Sequence, residues 1–370
     1  MKIIIVDNGL SVTGAFNAVI KNIKKDECNN EYLFYIPENS TNKIQLNTLR
    51  LKYYTFKSVE LSRTLYNIVM YLPFLFFNSY KLARVIKKEK ISWIHQNEIF
   101  ILSGICAKIF VKVKVLTHIR VMPTIFPTKI FKAWLYLQNR FSDKLVTVSF
   151  AAQKAAQAIY KPIKELPVWY DFVVPNEKLQ PFVVKESELF KICFIGNYTR
   201  GKGQEIALEA FKICTQSEQI KNISISFYGG DFGLPLNVAF KNELKSFIDK
   251  NELQHNAFLY DFVEDVESVM KDADLLLNLS AAESFSFVVA EGMSYGIPII
   301  ASNSGGPGEL IENDTSGIVL PDINPKKVAE AISSLIFNID KRLLFNYNSK
   351  KRIRDLVLEF GRMKFAEIYN

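Results

Sequence analysis

A chain of 370 residues is too long for one ordinary hydrophobic core and suits two domains of about 150 to 200 residues each. With 49% apolar and 23% charged residues its composition is globular and excludes a disordered chain. The net charge of +8 is unevenly spread: residues 1–176 hold 25 basic and 11 acidic side chains, residues 177–370 hold 21 and 27. A first half at +14 is expected to face something anionic. No nucleic-acid signature accompanies it, nor the regular interleaving of aromatic and basic residues that a base-stacking platform needs, so nucleic acid is not an expected partner and an anionic membrane surface is.

The chain opens MKIIIVDNGL, an apolar run without a basic flank or cleavage site, which reads as a first strand and not as a leader. No stretch reaches the roughly 18 uninterrupted apolar residues of a spanning helix. Cys28, Cys106, Cys193 and Cys214 are scattered without CxxC or Cys/His spacing. Neither a zinc site nor a disulfide framework is expected, and a reducing cytosol fits better.

Along the first half the strand candidates are KIIIV, SWIHQ, VKVLTHI and KLVTVS. Helical periods run through GAFNAVIKNIKK and FSDKLVTVSFAAQKAAQAIY. In the second half the candidates are KICFIGN, SISFYGG, AFLYDF, DLLLNLS, IPIIAS and GIVL, with a helical period in GQEIALEAFKICTQ. Such alternation predicts an α/β chain of doubly wound parallel sheets. The segment KPIKELPVWYDFVVPNEKLQPFVVKESE, with four prolines and no sustained period, marks the boundary. The expected domains are 1–176 and 177–350, with an amphipathic segment 351–370 packing back on the first.

One region departs from the alternation. LYNIVMYLPFLFFNSYKLARVIKKEK, residues 65 to 90, is an aromatic block broken by Pro73 that leads into Lys81, Arg84, Lys87, Lys88 and Lys90. TIFPTKIFKAWLYLQNRF, residues 124 to 141, is a second such mix. Either reads as a buried helix with a solvated basic face, or as an interfacial element on anionic lipid, where each basic residue adds about 1 kcal/mol. Both readings stay open at this point.

The chemistry lies in the second half. In KICFIGNYTRGKGQEIALEAF a strand runs into Gly196, and Gly203 opens a helix. The turn between them holds Arg200 and Lys202. Amide donors, a helix N-terminus and fixed cations make a phosphate cradle, although an ordinary charged turn would look the same. Next, DLLLNLS ends at Ser280, and a helix is expected from near Ser284 through FSFVVAEGMSYG to Gly296, with Pro298 barring its continuation. Glu283 then stands at the carboxyl edge of the sheet, where open α/β sheets bind ligands. Glu291, eight positions on, would point at another part of an elongated ligand. Asp272 and Asp274 sit at a helix-to-strand junction and read as structural or solvated, not as a metal site.

ESFSFVVAE followed by GMSYGIPIIASNSGGPGELI resembles the Glu, seven residues, Glu motif of family-four retaining glycosyltransferases (glycosyl transferases group 1). GNYTRGKGQE is similar to their phosphate loop, and DADLLLNLSAAE and NDTSGIVLPDINPKKVAEAI to the flanking segments. The likeness covers 190 to 340. More weakly, VDNGLSVTGAFNAVI, KVLTHIR and FSDKLVTVSFAAQ resemble the first half of the family. The resemblance implies a GT-B fold, two Rossmann-like domains facing each other across a cleft. It implies that Glu291 accepts from the ribose hydroxyls of a nucleotide sugar and that Glu283 sits beside the transferred sugar. Arg200 and Lys202 would neutralise the diphosphate, and the amides of Phe285, Ser286 and Phe287 would bind it. His118 would lie near the reacting centre, and Gly14 would admit the phosphates to the first loop. No cofactor and no metal is expected. Two positions depart from the pattern: Asn197 stands where the family often has arginine, and Ser286 where it has glycine.

Of the other histidines, His95 reads as structural and His255 as surface. No strand-to-helix elbow with a His/Asp companion supports a serine or cysteine nucleophile. The expected protein is a retaining glycosyltransferase of cell-surface polysaccharide synthesis. It would move a sugar from a nucleotide-diphosphate sugar to a glycan or lipid-linked acceptor, in the cytoplasm or peripherally on the inner face of the membrane. The rivals are a GT-B nucleotide-sugar epimerase, which needs no acceptor, and a non-catalytic partner subunit of the same fold.

Overall fold

A computed structural model of the protein describes residues 1–11, 13–24, 26, 29–58, 65–163, 165–171, 189–263, 265–360 and 368–369. The chain forms two compact units, Met1–Phe172 with Phe360–Asn370, and Val173–Glu359. The expected boundary at 176/177, with most of its linker, lies outside the described residues.

The first unit holds six parallel strands: β1 (Lys2–Val6), β2 (Glu31–Pro37), β3 (Lys52–Phe56), β4 (Trp93–Gln96), β5 (Lys114–Ile119) and β6 (Lys144–Thr147), in the order β3-β2-β1-β4-β5-β6. Ile3 through Val6 are all fully buried, as befits a parallel sheet covered on both faces. On one face Phe16, Val19 and Ile20 of the helix Gly14–Lys24 pack on Ile3, Ile5 and Phe34. On the other, Leu82, Val85 and Ile86 of the helix Leu65–Glu89 pack on Ile4, Leu33 and Ile94. Ile368 and Tyr369 join the first of these clusters, beside Trp93, Leu116 and Val146.

The four strands expected in this half are β1, β4, β5 and β6. β2 and β3 were not anticipated, although YLFYI ahead of Pro37 is an apolar β-branched and aromatic run, and β3 is a short edge strand with little periodicity. The helical period across FSDKLVTVSFAAQKAAQAIY resolves into β6 and the helix Phe150–Ile159, capped where Ser149 Oγ accepts from the Ala152 amide.

The second unit holds β7 (Phe190–Ile195), β8 (Ile223–Tyr228), β9 (Ala257–Tyr260), β10 (Leu275–Asn278), β11 (Ile299–Ser302) and β12 (Ile318–Leu320) in the order β12-β11-β10-β7-β8-β9, parallel throughout. All six answer to the strands expected. Helices Gln204–Thr215 and Pro325–Ile336 bury Ala207, Leu208, Phe211, Val328, Ile332 and Leu335 in one core with the sheet. The strand order reverses between β10 and β7. At such a switch point the loops after the two strands diverge and leave room for a ligand at the carboxyl edge.

Candidate active site

The loops after β7 and β10 meet at that switch point, and glycine lets them. Gly203 has φ +89°, and a Cβ there would lie 2.3 Å from the Leu279 carbonyl oxygen, closer than any side chain tolerates. The Ala281 amide donates to Gly201 O at 2.8 Å. This contact sets Lys202 Nζ 2.5 Å from Glu283 Oε1, which also accepts from Ser280 Oγ at 2.8 Å. The pair is open to solvent in part, the lysine side chain 36% exposed and the glutamate 17%. From the other side the loop after β11 clasps Glu283: its amide donates to Ser304 O at 3.0 Å and its carbonyl accepts from the Gly306 amide at 2.8 Å. A carboxylate and an ammonium group are thus held by backbone on both flanks at the edge of the sheet.

The helix Phe287–Tyr295 begins beside them. Ser286 is its N-cap, at φ +73°, with Oγ accepting from Val289 N at 3.5 Å and from Asn278 Nδ2 at 3.3 Å. The helix therefore starts three residues later than the sequence suggests, because a left-handed residue cannot belong to it. Of the three amides expected at its N-terminus only Phe287 is helical, and Val288 follows it. The amides of Phe285 and Ser286 precede the first turn. Phe285 is buried and its ring meets Phe287 edge-on at 5.3 Å. Glu291 lies half-buried one turn into the helix, which ends at Gly296 in the left-handed conformation (φ +72°).

Arg200 is drawn away from this group. Its guanidinium binds both Glu243 oxygens, at 2.6 and 2.7 Å, and lies over the Phe240 ring, with the side chain 66% exposed. Asn197, in the place of the family's arginine, supplies no charge and accepts from the Gly230 amide at 3.4 Å. Asp272 and Asp274 have structural work: Asp272 takes the Lys191 ammonium at 2.7 and 2.9 Å, and Asp274 the Lys191 amide at 2.9 Å, which pins β7 to the start of β10.

In the first unit Gly14 is the exposed first residue of its helix, capped by Thr13 Oγ1 accepting from Phe16 N at 3.1 Å. His118, expected near the reacting centre, is the last residue but one of β5. It is 0% exposed inside β5, stacked on His95 with ring centroids 5.6 Å apart. Burial, then the Arg120 charge, hold its pKa well below the ordinary imidazole value, so the ring is neutral at physiological pH. His95 is held low by the same causes, and its Nδ1 lies 2.7 Å from the Tyr369 hydroxyl. His255 is on the surface.

A buried polar group at the ends of β1, β4 and β5 escaped the sequence reading. Asn97 Nδ2 donates to Asp7 Oδ2 at 2.6 Å, and Arg120 Nη1 binds both Asp171 oxygens at 2.5 and 2.6 Å. Glu98, enclosed beside them, has its pKa pushed up to about 8 by burial. The signal was the abrupt change from apolar to polar in VDNG, HQNE and HIR.

Two Rossmann-like units, each a parallel six-stranded sheet with its switch point at the carboxyl edge, define the GT-B class of glycosyltransferase fold. Residues 176–352, a little under half of the chain, match the family model "Glycosyl transferases group 1". It is similar to the crystal structure of Anabaena Alr3699/HepE in complex with UDP and glucose, with a TM-score of 0.82, 20% identity and 98% of each chain covered. In sequence it is similar to the human alpha-1,3/1,6-mannosyltransferase ALG2, 30% identical over 192 residues, or 50% of this chain and 45% of that protein. It is 29% identical to the uncharacterized glycosyltransferase MJ1178 of Methanocaldococcus jannaschii over 178 residues, 48% of this chain and 46% of that protein. The chain spans a little under half the length of these two relatives.

Proposed function

We propose that the protein is a retaining glycosyltransferase that moves a sugar from a nucleotide-diphosphate sugar to a glycan or lipid-linked acceptor in cell-surface polysaccharide synthesis. The observation that carries the reading is the meeting of Lys202 and Glu283 at 2.5 Å, at a switch point and beside the N-terminus of the helix Phe287–Tyr295. In transfer, the bond from the anomeric carbon to the diphosphate oxygen breaks and the electron pair stays on the diphosphate. Lys202 and the helix N-terminus are positive groups already in place where that charge grows, so the reading gives no part to a divalent ion. Glu283 would then release Lys202 to the phosphate and hold a sugar hydroxyl, with Glu291 further along the helix at the ribose. The donor diphosphate would help to take the acceptor's proton, with retention at the anomeric carbon. Gly14 keeps the part of leaving room for a phosphate. His118, enclosed as it is, is given no contact with substrate.

The protein would also lie peripherally on an anionic membrane surface, at its cytoplasmic face. It is supported by the basic excess of the first half and by the helix Leu65–Glu89, on which Val69, Leu72, Phe76, Phe77 and Tyr80 are exposed ahead of exposed Arg84, Lys87 and Lys88. Phe76 and Tyr80 pack edge-on against Phe110, 5.2 and 5.5 Å away, which joins exposed Ile109 to the stripe. Among the described residues no helix is long and apolar enough to cross a membrane.

A thermal-shift series with UDP, GDP and ADP sugars tests the donor, since a ligand that binds only the native state raises the melting temperature. One base series is expected to stabilise the protein, and Lys202→Ala to abolish the shift. No shift with any of them overturns the reading. Sugar epimerised without acceptor would favour the epimerase instead.

A further inference from the structure

The helix Leu65–Glu89 has a second apolar face, turned inward. There Tyr71, Phe74 and Leu75 line a cavity of about 320 Å³ in the first unit, with Leu10, Phe56 and Ile101 on its other walls. That volume is within the range of small-molecule sites, and the mostly apolar lining with a few polar groups is their usual make-up. The polar groups are specific. Asn78 lines the cavity, buried, with Nδ2 donating to Lys57 O at 2.9 Å, while its Oδ1 has no hydrogen-bond partner among the described residues. A buried acceptor of this kind calls for a donor, which a water or a ligand in the cavity can supply. Lys57 itself is exposed in the lining, with Asn8 and Ser103 nearby, so a cation and small polar groups stand beside an apolar hollow.

We propose that this cavity binds the apolar chain of a lipid-linked acceptor, with the anionic head of the lipid beside Lys57 and a donor of the head at Asn78 Oδ1. One helix would thus serve two ends. Its outward stripe lies on the bilayer, and its inward face receives a chain from the same layer, so the amphiphile need only slide along the helix to enter. The aliphatic walls of Leu10, Leu75 and Ile101 suit an alkyl chain better than a soluble glycan. The inference rests on the acceptor and membrane reading above, but its test needs neither a nucleotide sugar nor vesicles, so each can fail without the other.

The test is calorimetric titration of the full chain with decyl phosphate below its micelle concentration. Saturable binding of one molecule per chain is expected, with none from inorganic phosphate at the same concentrations. Ser103→Trp, which fills the cavity, should weaken binding tenfold or more, and Leu72→Ser with Phe76→Ser on the outward stripe should leave it within twofold. If Ser103→Trp does not fold, judged by circular dichroism, Asn8→Trp blocks the cavity from a loop instead. No saturable binding, equal binding by the blocked variant, or equal loss in the outward variant overturns the proposal.

Discussion

Ser286 caps the helix Phe287–Tyr295 from a left-handed backbone at φ +73°, and Asn278 at the end of β10 donates to its hydroxyl at 3.3 Å. A side chain at such a φ costs about 1–2 kcal/mol that glycine avoids. The family's glycine at this position thus has a conformational reason, and the serine here sets two polar contacts against that cost.

Replacing Ser286 by glycine removes the strain and sacrifices a cap worth only a few tenths of a kcal/mol against glycine. Ser286→Gly is therefore expected to be more stable than the parent by about 1 kcal/mol. Ser286→Ala, which keeps the strain and loses the cap, should be less stable by about 1 kcal/mol. Urea unfolding of the three proteins checks the order, and a glycine variant as weak as the alanine one would refute it.

Gly306 is held to glycine by space and not by φ. A Cβ there would fall 2.3 Å from the Phe285 carbonyl oxygen, and that backbone cannot swing aside without moving Glu283, whose own carbonyl accepts from the Gly306 amide. Gly306→Ala should cost about 1–3 kcal/mol and reduce donor binding together with stability. Loss of either one alone would show that the two loops are not coupled.

Lys202 and Arg200 are two residues apart and should behave differently. Lys202 stands against Glu283, whereas Arg200 is bound to Glu243 in an exposed pair of the kind worth about 0–1 kcal/mol. Lys202→Ala and Glu283→Ala are expected to abolish transfer while the melting curve stays cooperative. Arg200→Ala should retain most of the activity. Equal losses in all three would mean that Arg200 leaves Glu243 for the phosphate when donor binds.

Glu98 makes stability depend on pH. Its folded pKa of about 8 lies above the ordinary carboxylate value of 4.5, so the folded state holds a proton that the unfolded chain gives up. Stability from this group is complete below pH 4.5 and falls as pH rises towards 8. Glu98→Gln keeps an acceptor for the Ile99 and Arg120 amides without the ionisation. The variant and the parent should melt together near pH 4.5, and the variant should melt higher at pH 8. Parallel curves over that range would exclude the shift.

Vesicle binding should follow the exposed stripe. Co-sedimentation with anionic liposomes is expected at low salt and should fall as salt is raised, because surface charge is screened over about 10 Å at 0.1 M. Leu72→Ser with Phe76→Ser should abolish it. Binding that ignores both salt and these substitutions would place the membrane contact elsewhere.

How legible this was in the sequence depended on distance along the chain. Glu283 and the turn after β10 were readable because strand, turn and helix lie within some twenty residues and each has its local signal. The start of the helix was misplaced because Ser286 gives no sign in its sequence of a left-handed backbone. Arg200 looked equivalent to Lys202, since its partner Glu243 lies 43 residues on, in another helix. The burial of His118 was hidden more deeply: the ring it stacks on, His95, is held by Tyr369, 274 residues further along. The apolar stripe on the helix Leu65–Glu89 left two readings open because periodicity shows that a helix has two faces and not which of them water touches.

The place of Tyr369 bears on how the chain comes off a ribosome. Its ring fills space against Trp93 and its hydroxyl meets His95, yet everything from residue 173 to 359 is synthesised between that core and the residue that completes it. Domains usually fold in the order in which they emerge. Here the first unit is translated first and completed second. Until Tyr369 arrives, the first unit lacks the ring that packs against Trp93.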